Sequence, residues 1–253
     1  MSQLEVFRKE VNDYVEQKLS KGPVGEILSE ASIALTVVEP GLVWDIIVVV
    51  DDEVFSAFAD RHGSAFVVDD HDHVPPIFTK VKSLSWLTKD LSNRRAIALW
   101  LYRYAMVLSD QRQMIEQAVA SAWKSFQENL PALMRGKYLE LRTERHNLRH
   151  ITNPGDDIAF EIVKGNIAKL ALELSLLVHG KPYPYKKQLP RAAREDSDAG
   201  RHLHKICNEF LKEENGPKTI VLSETLVSFV ANMLRESGMF PDDLLERWWL
   251  HLQ

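Results

Sequence analysis

The chain has 253 residues, 45% of them hydrophobic and 26% charged, with a formal net charge of −5. Such values are ordinary for a soluble globular protein and leave no bulk electrostatic pull toward nucleic acid or a membrane surface. A single cysteine, Cys207, excludes an intrachain disulfide and a zinc site built from several thiolates.

The opening stretch MSQLEVFRKEVNDY is charged throughout and has no apolar core of signal-peptide type. No apolar run approaches the ~18–20 residues of a membrane span, so the expectation is a cytoplasmic protein without a membrane partner. Leu4, Phe7, Val11, Tyr14, Val15 and Leu19 follow a helical period and predict an amphipathic helix ending near Gly22-Pro23. SIALTVV (32–38) reads as a strand, and Glu39-Pro40-Gly41 turns it into LVWDIIVVVDD (42–52), with which it is expected to form a hairpin. Alternation along 42–52 puts Asp45, Ile47, Val49 and Asp51 on one face, and Trp44, Ile46, Val48, Val50 and Asp52 on the other. Asp45 is the anomaly, because a carboxylate at the start of a core strand needs a partner, a metal or solvent. Asp51 cannot share a metal with it, since six residues at about 3.3 Å each separate them by roughly 20 Å. A short helix over 54–61 stops at Gly63. AFVVDD (65–70) is a third strand leading into His71-Asp72-His73-Val74-Pro75-Pro76, and IFTKVKSL (77–84) a fourth.

From Trp86 the pattern changes to a helical period. Helices are expected over 94–108, over 114–127 with a stop near Pro131, and over 132–151 with a basic face broken by Asn153-Pro154-Gly155. Asp156-Asp157 begin the next helix, their charge suiting its N-terminus, and it runs to Val178 before Gly180 and Pro182. The stretch RAAREDSDAG (191–200) reads as a polar, linker-like segment, followed by helices over 201–213, 223–237 and 242–252. The fold class is therefore α+β: a small N-terminal mixed sheet, all of its strands before residue 90, then an all-α bundle. The corresponding domains are 1–88 and 89–253.

Three clusters carry candidate chemistry. DDHDH (69–73) offers carboxylate and imidazole ligands for a metal, or is a polar loop between strands. Arg142, Arg145, His146 and Arg149 share one side of a helix, with Arg135, Lys137 and His150 adding charge. They form either an anion site or a solvated face paired with Glu140 and Glu144. PYPYKKQLP (182–190) is either a ring-lined wall from which Lys186 or Lys187 reaches a phosphate, or a packed connection. Cys207 lies among Leu203, Ile206 and Phe210 and reads as core, and Trp248-Trp249 as the docking face of the last helix. The Walker A, G-x-G-x-x-G, G-x-S-x-G and H-E-x-x-H patterns are absent.

WDIIVVVDDE (44–53) resembles the second strand of the nucleotidyltransferase fold, which carries two carboxylates one residue apart in the pattern SDIDLVVVVDD. ALWLYRYAMVLSD (98–110) is similar to that fold's helix leading into a "vl-x-D" turn. The stretch from Asp156 through LALELSLLVHGKPYPYKKQLP (170–190) is similar to the helical domain of the two-domain aminoglycoside- and lincosamide-type members. The resemblance covers most of residues 30–190. It implies transfer of a nucleoside monophosphate from an NTP, with Mg²⁺, to a hydroxyl of a small-molecule acceptor. In that reading Asp45 is catalytic and binds metal, and one of Asp69, Asp70 and Asp72, taken as Asp70, completes the metal site. One of Asp156, Asp157 and Glu161, taken as Asp157, is the acceptor base. Arg145, Arg149, Lys186 and Lys187 hold the nucleotide across a cleft between sheet and helices, and a homodimer is allowed. Two departures stand against activity. Ala34-Leu35-Thr36 replaces the Gly-Ser turn that would hold triphosphate oxygens, and Ile47 replaces the second carboxylate. Two-metal chemistry needs carboxylates converging on ions ~3.5–4 Å apart. The alternative is a catalytically inactive relative that binds a small-molecule ligand, a nucleotide or a partner.

Overall fold

The computed structural model describes residues 3–36, 43–151 and 157–252. The expected turn at Glu39-Pro40-Gly41, the break at Asn153-Pro154-Gly155 and Asp156 lie outside them. The chain forms two compact units, Met1–Ser125 and Phe126–Gln253.

The first unit opens with α1 (Gln3–Gln17), whose Val11, Tyr14 and Val15 are buried, followed by three 3₁₀ turns over Leu19–Lys21, Pro23–Glu26 and Leu28–Glu30. Then come β1 (Ser32–Leu35), β2 (Trp44–Val50), α2 (Asp52–His62), β3 (Val67–Asp70), β4 (Ile77–Ser83), α3 (Leu84–Arg103), β5 (Met106–Ser109) and the start of α4 (Met114–His150). Among the described residues the strands make one sheet in the order β3-β4-β2-β1-β5. β1 pairs antiparallel with β2 and β5, β3 pairs antiparallel with β4, and β2 pairs parallel with β4. The central strand β2 is apolar on both faces apart from Asp45, as a strand covered on both sides requires. The expected hairpin of β1 and β2 is present. Gly63 ends α2 with φ +88, and its N–H donates to the Ala59 carbonyl at 2.7 Å.

Register assigns every strand residue to a face. Trp44, Ile46, Val48 and Val50 share theirs with Ile33 and Leu35 of β1, Ile77, Thr79 and Val81 of β4, and Val68 and Asp70 of β3. This first face joins α1, the 3₁₀ turns and Phe58 of α2 in one apolar core. The second face carries Asp45, Ile47 and Val49 with Ser32 and Ala34 of β1, Phe78, Lys80 and Lys82 of β4, and Val67 and Asp69 of β3. It is buried over β1 and β2, but opens toward β4 and β3. α3 lies against β2 and β4.

Two expectations for this unit change. The helix predicted over 94–108 ends at Arg103, and Met106–Ser109 is a strand beyond residue 90. Met106 and Val107 pair with Leu35 and Ala34, and Met106 and Leu108 join the core, so tertiary pairing overrides a segment whose apolar run also fits a helix. The division between the compact units falls at Ser125/Phe126, after β5.

α4 runs unbroken from Met114 to His150 with Pro131 inside it, where a stop was expected. Proline removes one helical donor and crowds the preceding turn, at about 3 kcal/mol. The helix persists because Leu130, Met134, Tyr138 and Leu141 are buried along one side. In the second unit α5 (Asp157–Val178) is buried almost all round over its last three turns, marking it as the central helix. α6 (Leu189–Asp196), α7 (Asp198–Lys212) and α8 (Pro217–Glu236) follow, and α7 and α8 both pack on α5. The linker-like stretch 191–200 is thus mostly helix. Its Asp196 side chain is almost fully buried, held at 2.5 Å by both His179 Nδ1 and Lys181 Nζ, and Ser197 caps α7. The last predicted helix divides into α9 (Asp242–Glu246) and a 3₁₀ turn, Trp248–His251, with Trp248 buried and Trp249 exposed. Among the described residues no helix is long and apolar enough to cross a membrane.

Candidate functional site

Asp45 sits at the start of β2 on the second face of the sheet. The parallel pairing of β2 with β4 sets Ile47 opposite Lys80, and the Lys80 side chain reaches back so that Nζ lies 3.0 Å from Asp45 Oδ1. Both side chains are partly exposed, at 44% and 33%. The neighbouring strand therefore supplies Asp45 with a cation, and its other residues on this face, Phe78 and Lys82, are not acids either. Lys82 lies over the Trp86 ring at 5.3 Å.

The backbone beside Asp45 is also committed. Thr36, at the end of β1, donates both its N–H and its hydroxyl to the Asp45 carbonyl, each at 2.9 Å. At the place of the expected phosphate-binding turn, those two donors close the strand pair.

α3 brings a second charged group near Asp45. Asp90 accepts both hydrogens of the Arg94 fork, and the Tyr102 hydroxyl donates to it at 3.5 Å. Burial raises the Tyr102 pKa, with the negative charges of Asp90 and Asp45 adding to it against Arg94. The hydrogen bond with Asp90 likewise raises the Arg94 pKa. The carboxylates Asp45 and Asp90 are thus each already held by a cation.

Asp70 is not brought to Asp45. It pairs in register with Ile77 and so belongs to the first face, whereas Asp45 pairs with Phe78 on the second. Carboxylates on opposite faces of one sheet cannot ligate one ion. Asp70 is instead a hub for its own side. Lys18 Nζ approaches at 3.2 Å, the His73 N–H donates at 3.2 Å, and Tyr14 is bonded to it. Burial pushes the Asp70 pKa up, but the Lys18 hydrogen bond and charge and the His73 N–H outweigh it and hold the carboxyl below its usual range. Burial and the Asp70 charge push the Tyr14 phenol up to about 12. Asp69 of β3 is on Asp45's face, but Phe78 stands between them, two strand spacings or roughly 10 Å. It pairs with His71 at 3.1 Å. Among the described residues, no three His, Cys, Asp or Glu side chains gather to hold a metal ion. The residues around Asp45 therefore do not fit the Mg²⁺ that the sequence resemblance implies.

The remaining expected site residues belong to the second unit. Asp157, at the start of α5, accepts from Asn215 at 2.9 Å and is exposed. Arg145 and Arg149 both meet Glu224 of α8, Arg149 at 2.7 Å, while Glu140 pairs with Lys137 at 3.8 Å. Lys186 and Lys187 are exposed, while Tyr183 beside them is buried under Lys137, which also pairs with Glu173 at 2.8 Å. Three partners were missed in the sequence: Lys80, the Asp90–Arg94–Tyr102 group and Glu224. For Lys80 a signal existed, since alternation placed it with Phe78 and Lys82. Which strand those residues would face was fixed only by the parallel pairing.

No protein-family model matches this chain, and no curated protein matches it. Among solved structures it is similar to a nucleotidyltransferase-like protein from Exiguobacterium sibiricum 255-15. The identity is 15% and the TM-score 0.48, over 90% of this chain and 77% of that one.

Proposed function

We propose that this chain is a nucleotidyltransferase-like protein that does not carry out metal-dependent nucleotidyl transfer and uses the open part of its sheet to bind a ligand or partner. The observation that carries the reading is the ion pair of Lys80 with Asp45. A carboxylate that neutralises an adjacent ammonium is a poor ligand for a second cation, and like charge repels that cation further. Ile47 and the spent donors of Thr36 support the same reading. The groups left on the open face, Lys82 over Trp86 with Phe78 beside them, suit an anionic ligand with a flat apolar part.

The test is turnover of ATP, GTP, CTP and UTP with Mg²⁺, followed by pyrophosphate release over hours. The expected result is no release above the protein-free rate for any of them. Pyrophosphate release that Asp45→Asn abolishes would overturn the reading and restore the transferase.

A further inference from the structure

The arginine face of α4 in the second unit is short of negative charge. Arg142, Arg145 and Arg149 are spaced by three and four residues and lie along one side of the helix. Among the described residues, Glu224 of α8 is the carboxylate that Arg145 and Arg149 meet and share. Arg142 lies over the Trp248 ring at 5.5 Å and donates to the Tyr138 hydroxyl at 3.4 Å. The other charged groups nearby are occupied. Arg235 of α8 pairs with Asp242 and Glu246, and the His146 and His150 rings meet at a tilt, 4.5 Å apart.

Burial makes the shortage costly. Arg145 is 9% exposed, and among the described residues its Nε, that of Arg142 and the Oε1 of Glu224 are buried without a hydrogen-bond partner. Guanidinium N–H groups in such a place call for acceptors. Burial and the charges of Arg149 and Arg142 pull the Arg145 pKa down to about 10, the direction expected where cations outnumber anions. Glu224 also lines an open groove of about 510 Å³ between α7 and α8, with Thr225, Ser228, Asn232, His202 and Phe229. The groove offers hydroxyls, an amide and an aromatic ring, and it meets Arg145 and Arg149 through Glu224.

We propose that this face is a binding site for a phosphate monoester, whose phosphoryl group displaces the Glu224 carboxylate from Arg145 and Arg149 while the rest of the ligand lies in the groove. A phosphoryl dianion matches three guanidiniums better than one carboxylate does. Its three terminal oxygens supply the acceptors that the Nε groups lack, in the forked geometry arginine favours. The site lies in the second unit and is independent of the reading of Asp45.

Calorimetric titration at fixed ionic strength tests it, with inorganic phosphate and AMP as probes, sodium chloride as control, and the melting temperature of each variant recorded. The wild type is expected to bind saturably. Arg149→Gln, at an exposed position, weakens binding about tenfold, the scale of one charge-assisted hydrogen bond. Glu224→Gln tightens it, because the competing carboxylate is gone. AMP is expected to bind more tightly than phosphate, and equal binding would overturn the placement of the ester in the groove. No saturable binding in either wild type or Glu224→Gln would overturn the proposal, as would binding unchanged by Arg149→Gln. Binding confined to an RNA oligonucleotide that neither phosphate nor AMP displaces would also overturn it.

Discussion

At the start of β2 the Asp45 carboxylate meets the Lys80 ammonium at 3.0 Å. Because both groups are partly exposed, their attraction is screened and is worth about 0–1 kcal/mol of stability. Lys80→Ala should therefore shift the urea midpoint by no more than that. A loss above about 2 kcal/mol would mark the pair as structural rather than part of an open site. Asp70 makes the opposite case. Its pKa is lowered in the folded state, so its contribution is present above the ordinary carboxylate value and is lost as pH falls through the lower, folded one. Asp70→Asn should lower the melting temperature at pH 7, and the gap from wild type should close below pH ~4. A gap that persists unchanged in acid would assign the effect to packing instead of charge.

Elements show where local pattern and tertiary context agree. Strand β2 was legible because a β-branched run after a Pro-Gly dipeptide has few other conformations open to it, and α2 because Gly63 marks its end. β5 was not, since Met106 and Val107 become strand only by pairing with Leu35 and Ala34, a partnership across the chain that no local window contains. Pro131 misled in the other direction, because buried residues on either side of it hold α4 together at a local cost. Pro131 is exposed, so Pro131→Ala should stabilise the protein by roughly 1–3 kcal/mol in thermal or urea unfolding. A destabilised variant would show that α4 depends on a bend there. The corner between α6 and α7 depends on Gly200, where a Cβ would lie 2.1 Å from the Ala193 carbonyl oxygen. Gly200→Ala should cost about 1–3 kcal/mol or more by forcing the backbone apart, read as a fall in melting temperature. Of the candidate site, Asp45 and the basic face of α4 were visible as residue types out of place. Their partners Lys80 and Glu224 were not, because each comes from a separate element whose register or packing angle decides the contact.

At the scale of the molecule, an α+β unit and a helical unit each carry a charged site of a different kind. In the first, among the described residues, Asp45 and Asp90 are each matched by a cation of the chain itself, Lys80 and Arg94. In the second, Arg145 and Arg149 of α4 share the Glu224 carboxylate. The claim on which the account turns is that Asp45 does not serve a metal ion. Titration with Mn²⁺, with and without ATP, followed by the electron paramagnetic resonance signal of the free ion, reads this directly. The account predicts that the wild-type protein leaves the free-ion signal as it is in matched buffer or buffer with ATP. Saturable Mn²⁺ binding that disappears in Asp45→Asn would contradict it.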